Sequence, residues 1–118
     1  MDAEIMERQR KALLEERESL REQLRDLGVN PDDPASVEFQ FDQGLADSAQ
    51  TTAERHRVMS IAEGLRTNLD DVEHALRRMD VGTYGSCENC GRQIAVERLE
   101  AIPFARLCFE CKQKARTR

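Results

Sequence analysis

From Val58 onward the apolar residues return at Val58, Ala62, Leu65, Leu69, Val72, Leu76 and Met79. The steps alternate between four and three, which is the seam of a coiled coil on one long helix. The first part of the chain answers with Met6, Leu13, Leu20, Leu24 and Leu27. Arg10 and Arg17 stand at the intervening seam positions, so this partner is the less apolar one. Gly28 stands where a glycine ends a helix, and Pro31 and Pro34 keep it ended. Gly82 and Gly85 close the second helix. Two complementary segments joined by a turn predict an antiparallel helical hairpin, with helices of roughly 26 and 35 residues and a length of about 40–50 Å. A parallel coil between two copies is the competing packing.

This divides the chain. Residues 1–82 are expected to form the coiled-coil hairpin, with a tip near 29–50. Residues 83–118 are expected to form a separate small module with a short C-terminal helix. The fold class is therefore mainly α. Charged residues make up 35% of the 118 positions and aromatics 4%, a mixture that suits an exposed helical pair better than a large globular core. No run approaches the ~18 apolar residues of a membrane span, so no membrane partner is expected. "MDAEIMERQRKALLEER" is charged throughout and has no apolar signal core, which predicts a cytoplasmic protein.

In a reducing compartment the cysteines point to metal rather than to disulfides. All four lie in "SCENCGRQIAVERLEAIPFARLCFECKQK", as two C-x-x-C pairs with seventeen residues between Cys90 and Cys108. Zn²⁺ takes four soft ligands in a tetrahedron, and a C-x-x-C turn aims two sulfurs at one centre. Cys87, Cys90, Cys108 and Cys111 are thus the expected ligands of one zinc. Gly91 suits the tight turn after Cys90. Four protein ligands leave no open position, so the zinc is expected to be structural. Two disulfides, or four buried free thiols, are the other readings. His56 and His74 fall on the helical pattern and are expected at its flank rather than on the metal.

Charge is unevenly placed. Residues 26–54 carry seven acids and no Lys or Arg, whereas residues 87–118 carry four acids and seven bases. The acidic span also holds Val37, Phe39, Phe41 and Leu45, so it is more than a polar loop. An acidic end on a helical pair suits a basic channel or a site holding metal ions.

"GTYGSCENCG", "ERLEAIPFARLCFEC" and "LADSAQ" together resemble the DksA/TraR family of bacterial RNA polymerase-binding regulators. The resemblance extends over nearly the whole chain. It implies binding of RNA polymerase at the rim of the secondary channel, with the coiled-coil tip directed at the active site. It implies altered promoter complexes without direct specific DNA binding, and a monomer. In the family's DxxDxA tip motif, Asp47 matches the second aspartate and Ala49 the alanine. Gly44 occupies the first aspartate position, and Asp42 is the substitute nearest to it. Docking is expected to use Arg98 and the basic end of the chain, including Lys112. At the positions that bind the alarmone ppGpp in responsive members stand Asp71, Ile102 and Lys112. A carboxylate among them predicts weak or absent ppGpp synergy.

Two other classes compete. GATA-type DNA-binding fingers share the cysteine spacing, but four thiolates and a Zn²⁺ reduce the finger's net charge to about +1, too little for a module that tracks phosphates. A plain coiled-coil adaptor would use hairpin and finger only as a scaffold. An enzyme is not expected: the chain has no paired nucleophile and base and no Gly-rich phosphate loop. Stimulation of transcript cleavage, as by Gre factors, is compatible with an acidic tip.

Overall fold

The computed structural model describes residues 1–32 and 49–116. These form four helices, α1 (Ala3–Asp26), α2 (Ala49–Val81), α3 (Val96–Ala101) and α4 (Phe109–Arg116). They gather into two compact units. One comprises Glu18–Leu69, the other Met1–Arg17 with Asp70–Arg118. Asp42 and Asp47 lie outside the described residues. Ala49 is the first residue of α2.

In the Glu18–Leu69 unit the buried side chains are Leu20, Leu24 and Val29 from the α1 side and Val58, Ala62 and Leu69 from α2. Burying each Leu or Val contributes roughly 1.5–3 kcal/mol relative to leaving it in water. The end of α1 is a Schellman turn. Gly28 takes φ 82°, its N–H donates to the Arg25 carbonyl at 2.9 Å, and the Val29 N–H donates to the Leu24 carbonyl at 2.9 Å. Glycine adopts this left-handed conformation without the steric penalty a Cβ brings, and the two bonds satisfy carbonyls the helix leaves open. The turn changes which residue completes the seam. Leu27 is only half-buried, while Val29 is sealed at 1% exposure above Leu24. Beyond the cap, Asn30 accepts the Asp32 N–H at 3.0 Å, and Asp32 meets the Arg21 guanidinium at 2.9 Å.

In the other unit, the first turns of α1 run antiparallel to the last turns of α2. Arg10 meets Asp80 at 3.3 Å and Arg17 meets Glu73 at 3.7 Å. An advance of seven residues along α1 thus matches a retreat of seven along α2. Both arginines lie at the edge of the helix pair, where their charge reaches water and an acid at once. Asp2 caps α1 by accepting the Glu4 N–H at 3.0 Å. Gly82, at φ 80°, ends α2 with the same Schellman pattern as Gly28: the Thr83 N–H donates to the Arg78 carbonyl at 2.9 Å.

The buried face here is wider than a coiled-coil seam. Leu13, Val72 and Met79 are buried as the periodicity predicts, but Gln9 and Ala75 are buried as well. Met6 and Leu76, both expected in the seam, are half-buried. The reason is the finger, which packs on this end of the helices. Gln9 donates to the Leu99 carbonyl at 2.6 Å and to the Tyr84 hydroxyl at 3.2 Å, and Tyr84 donates to the Pro103 carbonyl at 2.7 Å. Burial raises the Tyr84 phenol above its ordinary pKa, against a smaller lowering by Gln9. Ile94 and Leu99 are fully buried. Gly85 lies so close to the start of α1 that a Cβ there would come within 2.6 Å of the Met1 methyl carbon.

Candidate metal centre

The first knuckle is a tight turn closed at both ends. The Cys87 N–H donates to the Arg92 carbonyl at 2.8 Å, and the Gly91 N–H donates back to the Cys87 carbonyl at 2.9 Å. Ser86 and Gln93 form an isolated antiparallel bridge behind it, and the Ile94 N–H donates to the Gly85 carbonyl at 2.7 Å. Gly91 takes φ 77°. The second knuckle is the start of α4. Cys108 precedes the helix and accepts the Lys112 N–H at 3.0 Å, and Cys111 lies in the first turn. The Arg98 Nε donates to the Leu107 carbonyl at 3.0 Å and so holds the approach to this knuckle. The Glu88 N–H donates to the Arg106 carbonyl at 2.9 Å, which joins the two knuckles through the backbone.

These segments bring the four sulfurs of Cys87, Cys90, Cys108 and Cys111 within 4.8 Å of one another. The Cys90 and Cys108 sulfurs are 3.8 Å apart. Zn–S bonds of ~2.3 Å in a tetrahedron place sulfurs about 3.8 Å apart, so the pocket fits one zinc. All four cysteines are free thiols, and two are buried, Cys87 and Cys111. Among the described residues, this is the one group of metal-ligating side chains so assembled. Burial pushes the Cys87 thiol up, but backbone N–H groups of Cys90, Cys108 and Asn89 outweigh it and bring the thiol down to about 6. Asn89 pulls the Cys111 thiol down, but crowding by Cys108, burial, Cys87 and Cys90 raises it to about 11. Four sulfurs this close cannot all ionise without a cation between them, and zinc supplies it.

A belt of charge joins the first knuckle to α2. His74 Nε2 bonds Glu88 Oε1, and Arg78 donates to the Ser86 carbonyl at 2.8 Å. Arg106 of the finger meets Asp71 of α2 at 2.6 Å. Burial works to raise the Glu88 carboxyl, but His74, Arg78 and Arg106 hold it below the ordinary value. His74 therefore bonds the knuckle through Glu88 and stands outside the sulfur cluster. Lys112 is exposed on α4, and Ile102 is exposed just after α3. Asp71, at the position where the resemblance calls for a cation, is already paired with Arg106. The sequence pattern missed Gln9 and Asn89. Gln9 looked like one more polar helix residue, and Asn89 like a spacer between two cysteines.

Residues 82–116 match the prokaryotic dksA/traR C4-type zinc finger. General stress protein 16O of Bacillus subtilis is 39% identical over 71 residues, which cover 60% of this chain and 44% of that protein. The RNA polymerase-binding transcription factor DksA of Haemophilus influenzae is 40% identical over 53 residues, 45% of this chain and 37% of that one. The chain thus spans less than half the length of either relative. The solved structure of transcription factor DksA2 from Pseudomonas aeruginosa superposes with a TM-score of 0.71 at 28% identity, over 99% of this chain and 87% of that one. Among the described residues, no helix is long and apolar enough to cross a membrane. A C4 finger built on one structural zinc site and packed on the ends of two long helices gives the conclusion that residues 82–116 are a zinc finger of the dksA/traR type, in a chain whose fold is like that of DksA2.

Proposed function

We propose that this protein binds RNA polymerase at the secondary channel and modulates initiation of transcription, acting as a regulator and not as an enzyme. The observation that carries this reading is the likeness to a DksA2 structure over 99% of the chain, extending well beyond the finger. The relative from H. influenzae is itself named an RNA polymerase-binding transcription factor. In this reading the finger and the adjoining end of α2 dock on the polymerase. Lys112 is one of the exposed cations at the basic end of the chain that would serve that contact, and Arg98 shapes the surface from within. The acidic tip, with Asp47, Ala49 and Asp42, is the effector and approaches the active site. Polymerase is the partner rather than DNA, the protein acts as a monomer, and its place of action is the cytoplasm.

The reading also predicts weak ppGpp synergy. The Asp71 carboxylate is engaged by Arg106, so a phosphate approaching there would meet a neutralised pair rather than a free cation. Of the three aligned positions, Asp71, Ile102 and Lys112, only Lys112 carries a cation.

Asp47→Asn tests the division between anchor and effector. Asn keeps the size of Asp and removes its charge, and near a metal ion in a channel that charge is worth several kcal/mol at most. Polymerase affinity should stay within about twofold, because the change leaves the docking charges untouched. The effect on open-complex lifetime at a ribosomal promoter should disappear. Loss of both together, or of neither, would contradict the reading. Tight, salt-steep binding to random duplex DNA would favour a DNA-binding finger instead. Retention of full activity by Asp47→Asn would favour an adaptor.

A further inference from the structure

Asn89 lies between the two cysteines of the first knuckle, yet its side chain crosses to the second. Its Nδ2 donates to Cys111 Sγ at 3.3 Å, a bond between residues 22 apart in the chain. Its backbone N–H faces Cys87 Sγ. One residue therefore touches the two buried sulfurs of the site, one from each knuckle. The other two sulfurs lie nearer to solvent: Cys90 is exposed and Cys108 half-buried, and they face each other at 3.8 Å.

The chemistry selects one orientation of the amide. A zinc-bound thiolate keeps much of its negative charge and accepts hydrogen bonds. The Asn89 carbonyl oxygen turned toward it would be repelled, so the NH₂ group must face the sulfur. An N–H···S bond draws charge from the thiolate, fixes the cysteine rotamer and lowers the readiness of that sulfur to leave the metal or attack an electrophile. Groups that orient metal ligands in this way contribute substantially to metal affinity.

We infer that Asn89 is a positioning residue of the zinc site, which clamps Cys111 to the metal across the two knuckles and makes Cys90 the first ligand to yield. The inference rests on the zinc site alone and stands independently of the partner proposed above. The site is thereby asymmetric. Cys87 and Cys111 form a held edge, and Cys90 forms the open edge by which chelators and electrophiles enter.

The test uses the full-length zinc protein with Asn89→Ala and Asn89→Asp. Both remove the donor, and Asp keeps the shape. Zinc loss to a colorimetric chelator should accelerate by about 10–100-fold, the range by which outer-shell partners change metal affinity. Alkylation by iodoacetamide, followed site by site, should begin at Cys90 in the parent protein. In the variants Cys111 should gain reactivity more than the other three. The Co²⁺-substituted variants should show displaced thiolate-to-metal absorption. In the parent protein, the Asn89 side-chain NH₂ resonances should move downfield on zinc binding while those of Asn30 stay in place, a measurement that needs no variant to fold. Zinc loss within about twofold of the parent, equal gains in reactivity at all four cysteines, or unmoved Asn89 resonances would overturn the inference.

Discussion

Gln9 on α1 donates a 2.6 Å hydrogen bond to the carbonyl of Leu99, the fully buried leucine of α3. Ninety residues of chain separate the two, and the bond fastens the first helix to the zinc finger. The second Gln9 bond reaches Tyr84, which passes the connection on to Pro103. Gln9→Leu keeps the bulk and removes the donors, leaving the Leu99 carbonyl buried without its partner. It should lower stability by about 1–3 kcal/mol. Urea denaturation checks this, and elemental analysis should still find one zinc per chain.

Zinc removal should act unevenly. Binding free energy at such a site is folding free energy. A chelator, or Ser in place of Cys87, should unfold residues 83–116. Protection of the α1 amides from Glu4 to Leu13 should fall with them, because Gln9 and Met1 pack on the finger. Amides near Leu20, Leu24, Val58 and Ala62 should keep part of their protection, since that unit has its own buried set. Hydrogen exchange measured by mass spectrometry, with and without chelator, distinguishes this from uniform loss.

The Glu88 carboxyl gives a pH dependence with a defined sign. His74, Arg78 and Arg106 together hold its pKa down against burial, so the folded value lies below the unfolded one. Its contribution is therefore present above the unfolded value of about 4.3 and fades as the pH falls through the folded value. Glu88→Gln should be less stable than the parent by about 1 kcal/mol at pH 7, as expected for a partly exposed charged network. The difference should shrink below pH ~4.3. Denaturant midpoints of both proteins across the acid range are the measurement. A gap that stayed constant to low pH would remove the charge explanation.

The two helix ends give a backbone prediction. Gly28→Ala and Gly82→Ala each force a Cβ into a left-handed turn, at φ 82° and φ 80°. Each should cost about 1 kcal/mol. Nothing lies within 4 Å of a Cβ built on Gly82, so the whole effect there is conformational. A loss well above this at Gly82 would point to a packing role that the geometry lacks.

Much of this architecture is carried by local pattern. The alternation of four and three from Val58 to Met79 defined a long helix because period alone decides which residues share a face. Gly28 and Gly82 marked the helix ends because left-handed turns exclude most other residues. Two C-x-x-C pairs determined the metal site because four thiols at that spacing have few other uses. Tertiary structure decided the rest. Gln9 and Ala75 joined the core because the finger covers that end of the helices, and no periodicity in α1 or α2 carries the position of a distant module. Val29 replaced Leu27 in the core because the Schellman turn bonds the Val29 N–H back to the Leu24 carbonyl and returns its side chain to the buried side. Asp71 found Arg106, and Asn89 found Cys111, only through folding. Each pair lies too far apart in the chain for local geometry to bring it together, and the energy of such a bond exists only once both ends are held.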